Sequence, residues 1–352
     1  MSLQSEPSKY IQKLQQILNY EDIEEGVKIE HIRKVIMEFD TSHFQIADSK
    51  LIGEIVEEQD RSSVPFSSKS IKTGLDEYDS VFGGLWPGEF VVIGGRPAMG
   101  KTHLLVNLAV NIAADHEVLY YSLDLSNFML TARVVASLTE LPANYYMQRN
   151  LSEIQLKQLE LAKVDLSRLK LRILDQPMNS MTAFKALCRQ HVLDFNVKVI
   201  IVDYLQLLSS NRYRNNRELE VSYISREMKN IARELNVCVV ATSQLSRSVE
   251  QRGGDKRPVL SDLRESGAIE QDADKVVFIY RPEYYGLLQD EYGNSTVRLV
   301  DLIMCKNRSG NIDVVRLKVN EQFTKFVPFS PPNYNFVINP DRLGDFDDPT
   351  PF

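Results

Sequence analysis

The chain has 352 residues, of which 43% are hydrophobic and 25% charged, which is typical of a globular protein with a substantial core. The formal net charge of −7 argues against non-specific coating of nucleic acid, although it leaves room for a local basic channel. No apolar run approaches the roughly 18 residues of a membrane span, and the first residues lack the apolar core of a signal peptide. We therefore expect a cytoplasmic protein without a membrane partner, whose three single cysteines are reduced.

The first part of the chain carries three short amphipathic stripes, which predict a small helical region over residues 1–60. The last stripe follows Ser49, a candidate N-cap, and two interpretations stay open: this helix packs within the region or docks on a neighbouring subunit. Residues 61–70 are rich in serine, which is typical of a linker. We expect the main domain over residues 71–335 and a tail over residues 336–352.

The stretch from Val91 to Thr102 combines a buried-strand run with the pattern G-x-x-x-x-G-K-[ST]. In this pattern Gly95 and Gly100 let the backbone turn and aim its N–H groups at phosphate oxygens. Lys101 reaches the β- and γ-phosphates, and the Thr102 hydroxyl can ligate Mg²⁺. Helical spacing of apolar residues follows at once, so the loop lies at a helix N-terminus, which favours an anion. The residues predicted to bind ATP are Gly95, Arg96, Pro97, Ala98, Met99, Gly100, Lys101 and Thr102.

Apolar strands alternate with helical segments through the rest of the chain. This order predicts an α/β core with a mostly parallel sheet covered on both faces. Two final apolar runs, Arg298 to Cys305 and Asp313 to Val319, indicate an antiparallel edge. Ligands of such sheets bind beyond the carboxyl ends of the strands, so the last polar residue of each strand is a candidate for chemistry.

Three strand ends carry such residues. Asp203 is the expected second anchor for Mg²⁺, with an ordinary turn as the alternative. Gln244 is placed to sense the γ-phosphate, with a simple turn amide as the alternative. Asp124 is placed either to deprotonate the attacking water or to cap the helix that follows it, and the residues alone do not decide between these two roles.

Two further segments are polar. The first lies between Arg252 and Gly267. Its glycines and cations suit a phosphate backbone, although its nearly balanced charges also fit an ordinary solvated loop. Lys306 and Arg308 lie in a second basic segment between two strands, which is either a hairpin tip or, in a ring-forming ATPase, a finger that reaches a neighbour's γ-phosphate. The candidate DNA-binding residues of the first segment are Arg252, Lys256, Arg264, Glu265 and Gly267.

Together these motifs resemble the DnaB-type replicative helicases. The resemblance runs from about Thr73 to Val327 and covers their RecA-like P-loop ATPase domain. Its most specific part is residues 257–274, RPVLSDLRESGAIEQDAD. The other parts are residues 94–102, 201–207, 243–247 and 306–310.

The resemblance implies a hexameric ring that translocates on single-stranded DNA in the 5′-to-3′ direction, driven by ATP and Mg²⁺, and unwinds the duplex during replication. Lys101 and Thr102 would bind the triphosphate and the metal, Asp203 would support the metal, and Gln244 would sense the γ-phosphate. Lys306 and Arg308 would act in trans on the neighbouring subunit. Arg264, Glu265 and Gly267 match the family's DNA-channel loop.

Two departures from the family pattern bear on function. Where the family has Ser-Leu-Glu-Met with a catalytic glutamate, this chain has Ser122-Leu123-Asp124-Leu125, and a misplacement of about 1 Å can cost on the order of 100-fold in rate. The N-terminal region is also shorter than the family's, which makes primase a doubtful partner and leaves a replication loader as a candidate. The alternatives are an ATP-binding assembly or helicase-loading protein with weak hydrolysis, and a recombinase-like filament-forming ATPase.

Overall fold

The computed structural model describes residues 6–19, 25–32, 35, 51–61, 70–148, 151–175, 179–210, 212–213, 216–263 and 267–329. The chain divides into two compact units, residues 1–65 and residues 66–352. No helix in these described ranges has the length and apolar character needed to cross a bilayer.

The first unit is helical where it is described. It contains α1 (Glu6–Asn19), a helical stretch over residues 25–32, and α2 (Ile52–Arg61). Ser49, the predicted N-cap, lies outside the described residues. At the start of α2 the Leu51 amide donates a 3.1 Å hydrogen bond to the Glu54 carboxylate, which satisfies one of the free N–H groups of a helix end.

The described part of the second unit holds a nine-stranded sheet. Most of its first six strands are rich in apolar residues and buried, as expected of parallel strands covered on both faces, whereas β3 at the edge is half-buried. The strands are β1 (Phe90–Gly95), β2 (Val118–Ser122), β3 (Leu171–Leu174), β4 (Val199–Asp203), β5 (Cys238–Gln244), β6 (Lys275–Tyr280), β7 (Leu299–Asn307), β8 (Val314–Val319) and β9 (Phe326–Pro328).

Helices connect these strands and cover the sheet. They are α3 (Asp76–Phe82), α4 (Lys101–Ala113), α5 (Asn127–Thr139), α6 (Ala143–Gln148), α7 (Glu153–Arg168), α8 (Met181–Phe195), α9 (Arg217–Leu235), α10 (Ser248–Gln251) and α11 (Gly267–Asp272). One hydrophobic cluster lies on each face of the sheet, and α4 packs in one while α9 packs in the other.

The strand order is β3-β2-β4-β5-β1-β6-β7-β8-β9. Strands β1 to β6 pair in parallel, whereas β7, β8 and β9 pair antiparallel at one edge. This confirms the predicted α/β class with its mostly parallel sheet and antiparallel edge. The edge has one strand more than predicted. The additional strand, β9, was not predicted because it is only three residues long and ends at Pro328.

The register of β6 separates the loop after β1 from the turn after β7. Gly94 of β1 pairs with Phe278, so the loop after β1 lies near the end of β6. Asn307 pairs with Lys275 at the start of β6, so the turn after β7 lies at the opposite end of the strands. At about 3.3 Å per residue, the two ends of β6 are about 16 Å apart.

Candidate nucleotide-binding site

The loop between β1 and α4 carries the phosphate-binding pattern. Gly100 has a φ of 100°, in the left-handed region that favours glycine. Gly95 is needed for a different reason from the predicted one: a Cβ there would lie 2.6 Å from Cγ2 of Ile279, so β6 itself requires a glycine. The loop is therefore fixed by close packing at its start and by backbone conformation at its end.

Lys101 is the first residue of α4, and its ammonium group lies inside the loop. Nζ donates hydrogen bonds to the carbonyl oxygens of Gly95 at 2.8 Å and Arg96 at 3.0 Å. Burial lowers the pKa of Lys101 to about 8, while the charge of Asp203 acts in the opposite direction. The loop thus holds the Lys101 cation through two of its own carbonyl oxygens.

An open cleft of ≈ 600 Å³ lies over this loop. It brings together the ends of β2, β4 and β5 with the start of α4, as expected for the carboxyl edge of an α/β sheet. The predicted site residues that line it are Pro97, Ala98, Met99, Gly100, Lys101, Thr102, Asp124, Asp203 and Gln244.

The carboxylate of Asp203 is fixed by its neighbours. Thr242 donates a hydrogen bond from Oγ1 to Oδ1 at 2.7 Å, and the Tyr120 hydroxyl donates to Oδ2 at 3.2 Å. Asp203 is 3% exposed and still lines the cleft. A carboxylate held in this way presents its remaining lone pairs in a constant direction.

The Gln244 side chain extends into the cleft from the end of β5, while its backbone N–H is hydrogen-bonded to a neighbouring side chain. The amide of Gln206 accepts a 3.3 Å hydrogen bond from the Gln244 N–H, and its Nε2 donates to Ser243 Oγ at 2.8 Å. This contact couples the turn after β4 to the end of β5.

Asp124 is exposed at the rim of the cleft. The interpretation of Asp124 as a helix cap is wrong, because Ser126 is the N-cap of α5 and its side chain accepts a 3.4 Å hydrogen bond from the Met129 amide. The Asp124 carboxylate is therefore available to the cleft.

Arg96 is placed differently from the other predicted loop residues. Its side chain is 7% exposed and its guanidinium donates to the Leu245 carbonyl at 2.7 Å and to the Glu250 carboxylate at 2.9 Å. Neither Arg96 nor Gly95 lines the cleft. Arg96 ties the loop to the segment after β5 instead of pointing at a ligand.

Two arginines that sequence reasoning missed also line the cleft. Nη1 of Arg133 and Nε of Arg281 are buried and have no hydrogen-bond partner within the described part of the chain. Burial, with the charges of both arginines, lowers the pKa of His103 beside them to about 4. Arg281 is paired with Glu283 through Nη2, whereas Arg133 has no ion pair within the described residues, so its charge suits an anionic ligand at this end of the cleft.

Their sequence positions explain why they were missed. Arg281 directly follows β6, so the rule that identified Asp203 and Gln244 could have found it. Its guanidinium carbon lies 4.9 Å from the ring centroid of Phe323, which also lines the cleft. Arg133 is in the middle of α5, where no local pattern distinguishes it.

The structure describes only some of the predicted DNA-binding residues. Arg264 and Glu265 lie outside the described residues, and Gly267 opens α11. Arg252 donates to Oδ1 of the buried Asp262 at 2.6 Å, so its charge is paired within the chain. Nζ of Lys256 lies 5.4 Å from the centroid of the Tyr285 ring.

Lys306 and Arg308 lie in the finger hairpin, by which we mean residues 306–310 at the end of β7. This hairpin lies at the amino-terminal ends of the parallel strands, away from the loop after β1. Arg308 is half exposed and lies 3.6 Å from the Asp274 carboxylate. Neither cation lines the cleft of its own chain.

Comparison with known proteins identifies relatives of this chain. The family described as DnaB-like helicase C terminal domain matches residues 70–328. The Replicative DNA helicase DnaC of Bacillus subtilis (strain 168) is 40% identical over 260 residues, covering 73% of this chain and 56% of the relative. The Replicative DNA helicase DnaB of Geobacillus stearothermophilus is 38% identical over 260 residues, with the same coverage of 73% and 56%. The chain thus spans little more than half the length of these two relatives.

Two solved structures are also similar to this chain. "The Structure Of A DnaB-Like Replicative Helicase And Its Interactions With Primase" has a TM-score of 0.75 and 31% identity, and covers 92% of this chain and 76% of that one. A second structure, of an isolated ATPase domain, has a TM-score of 0.73 and 32% identity, and covers 80% of this chain and 100% of that one.

Proposed function

This chain belongs to the DnaB-like replicative helicase family, and we propose that it is an ATP-dependent DNA helicase that works as a hexameric ring and translocates on single-stranded DNA. The observation that carries this proposal is the cleft in which the phosphate loop, Asp124, Asp203 and Gln244 meet. Lys101 and Arg133 line the same cleft and give it the positive charge that a triphosphate requires.

The residues of the cleft fit Mg²⁺ bound together with ATP. The described ranges contain no cluster of three or more histidine, cysteine or carboxylate ligands, so a metal held by protein alone is not favoured there. Mg²⁺ commonly takes one or two protein oxygens and completes its shell with phosphate and water. Thr102 and Asp203 would hold it, and the bound ion would neutralise charge on the β- and γ-phosphates.

The chain's own groups have separate tasks in hydrolysis. Lys101 and Arg133 bind the phosphate oxygens, and Gln244 contacts the γ-phosphate. Asp124 orients the attacking water and accepts its proton. Arg281 and Phe323 form a flat, partly apolar wall that suits the base.

The position of the finger hairpin supports a ring. Lys306 and Arg308 lie towards the start of β6, whereas the phosphate loop lies towards its end. They therefore suit the nucleotide of a second copy of this chain better than their own. Single-stranded DNA would be bound by the segment that leads into α11, which includes Arg264, Glu265 and Gly267, mainly through its backbone.

Steady-state ATPase measurements with and without single-stranded DNA, in the presence of Mg²⁺, test this function. We expect DNA to stimulate hydrolysis, and Lys101→Ala to reduce kcat/KM by about 100-fold or more through loss of phosphate binding. Wild-type protein that binds neither ATP nor single-stranded DNA would rule the proposal out.

Asp124 supports a second candidate function. Its carboxylate is one methylene shorter than glutamate, so slow turnover would suit an ATP-binding assembly or helicase-loading protein. Background ATPase in the wild type, combined with stable nucleotide-dependent rings, would favour this candidate.

A further inference from the structure

We propose that Asp274 is a positioning residue for Arg308, and that this carboxylate and the last carbonyl groups of α11 form one seat for the finger hairpin. The inference rests on the proposed function, in which Arg308 acts on the nucleotide of a neighbouring subunit. The contacts that carry it lie wholly within the described residues.

The Asp274 carboxylate is rigidly held just before β6. It is 7% exposed, and its Oδ2 accepts hydrogen bonds from the Phe90 amide at 2.8 Å and from Lys229 Nζ at 2.6 Å. Its Oδ1 faces Nη1 of Arg308 at 3.6 Å, and the Asp274 carbonyl accepts from the Arg308 amide at 2.9 Å. A fixed negative charge therefore lies beside the guanidinium, and the backbone beneath it is fixed as well.

The end of α11 supplies the rest of the seat. Lys306 Nζ donates to the carbonyl oxygens of Glu270 and of Gln271, the second at 3.2 Å. Arg308 also donates to the Gln271 carbonyl. Carbonyl groups at a helix C-terminus attract cations, so both cations of the hairpin are held by one short helix. That helix begins at Gly267, one of the candidate DNA-binding residues.

A third attachment holds the tip of the hairpin. Ser309 donates a 2.9 Å hydrogen bond to Oε1 of Glu89, and Oε2 of Glu89 lies 2.9 Å from the wholly buried Nζ of Lys275. Glu89 directly precedes β1, and the phosphate loop follows the other end of that strand. Lys275 is the first residue of β6, and Arg281 follows its other end. The orientation of the hairpin is thus set by the same two strands that set the cleft.

The seat matters because the Arg308 side chain is half exposed and long. Free in solvent it would sample many rotamers, and a misplacement of about 1 Å at a reacting group can cost on the order of 100-fold in rate. Loss of the seat is expected to lower kcat and to leave the KM for ATP almost unchanged, because the finger stabilises charge that develops during hydrolysis.

The test compares Asp274→Asn in two backgrounds. Asparagine keeps an acceptor for the Phe90 amide and removes the charge that faces Arg308. We expect kcat of DNA-stimulated hydrolysis to fall about tenfold, with KM changing by less than about twofold. In an Arg308→Ala background the same substitution should change kcat by less than about twofold, because both changes act through one contact.

Lys229→Met is the matched control. It removes the other charged partner of the same carboxylate and leaves the contact with Arg308 in place. We expect it to lower the melting temperature while kcat stays within about twofold of the wild type. Equal losses of kcat from Asp274→Asn in both backgrounds, or none in either, would overturn the inference.

Ser309→Ala provides a second variant if Asp274→Asn does not fold. We expect it to lower kcat about threefold in the wild type and to have no effect in the Arg308→Ala background. Failure of the wild type to hydrolyse ATP on DNA would refute the proposed function and this inference with it. Normal DNA-stimulated hydrolysis in both Asp274→Asn and Ser309→Ala would refute this inference alone.

Discussion

Thr242 donates a 2.7 Å hydrogen bond to Oδ1 of Asp203, from β5 to the neighbouring β4. Both residues are buried, at 0% and 3% exposure. The threonine is therefore the main support of the carboxylate that we assign to the metal, and its loss would leave a buried acceptor oxygen unpaired.

Thr242→Val should weaken both stability and metal use. We expect the free energy of unfolding to fall by about 1–3 kcal/mol, because the Asp203 oxygen loses its donor. The Mg²⁺ concentration for half-maximal ATPase should rise about tenfold. Urea unfolding and a Mg²⁺ titration measure the two effects. Thr139→Val, whose hydroxyl bonds to the Val135 carbonyl of its own helix and to the Leu141 amide, is the control and should leave the Mg²⁺ dependence unchanged.

Asp124→Glu should raise kcat by about 10- to 100-fold, because the longer side chain brings the carboxylate closer to the attacking water. Asp124→Asn should lower kcat by about 100-fold or more, because the base is lost. Single-turnover hydrolysis of bound ATP separates this chemical step from product release. Equal rates for the wild type and the asparagine variant would show that Asp124 is not the base.

Gly95→Ala should destabilise the second unit. The new Cβ would lie 2.6 Å from Cγ2 of Ile279, and overpacking of this kind typically costs about 1–3 kcal/mol. Thermal unfolding checks the loss. Gly253→Ala, where a Cβ meets nothing within 4 Å and φ is not in the left-handed region, is the matched control and should change the melting temperature little.

Nucleotide binding should depend on pH through Lys101. Burial lowers its pKa to about 8, so the ammonium of the free protein loses its proton as pH rises through that value. We expect the Kd for ATP to increase up to about tenfold per pH unit above about 8, since the charge must be restored for phosphate to bind. Fluorescence titration with an ATP analogue measures this slope. Lys101→Arg keeps its charge in this range and should show a much flatter profile.

The sheet could be predicted because its strands are distinctive in the sequence. The runs from Val118 to Leu123 and from Val197 to Val202 are nearly all apolar, as a strand covered on both faces requires. The rule that ligands bind at carboxyl ends then led to Asp203 and Gln244. β9 was missed because three residues ending at Pro328 are too few to show the alternation of apolar residues or the usual length of a strand.

The rest of the cleft depends on tertiary packing that no local pattern encodes. Arg96 lies within the phosphate-loop motif, yet its side chain turns to Glu250, more than 150 residues later in the chain. Arg133 lies in the middle of α5 and lines the cleft through the packing of that helix, which no local sequence pattern specifies. The roles of the DNA-binding residues stay predictions, since Arg264 and Glu265 lie outside the described residues.

The phosphate loop and the finger hairpin lie at opposite ends of the strands of one sheet. In the ring that we propose, copies of this chain would meet head to tail, so each junction would combine the phosphate loop of one copy with the finger hairpin of the next. Two strongly impaired variants, Lys101→Ala and Arg308→Ala, should then complement each other when co-assembled. In an equimolar random mixture about a quarter of the junctions would pair an undamaged pocket with an undamaged finger and regain turnover.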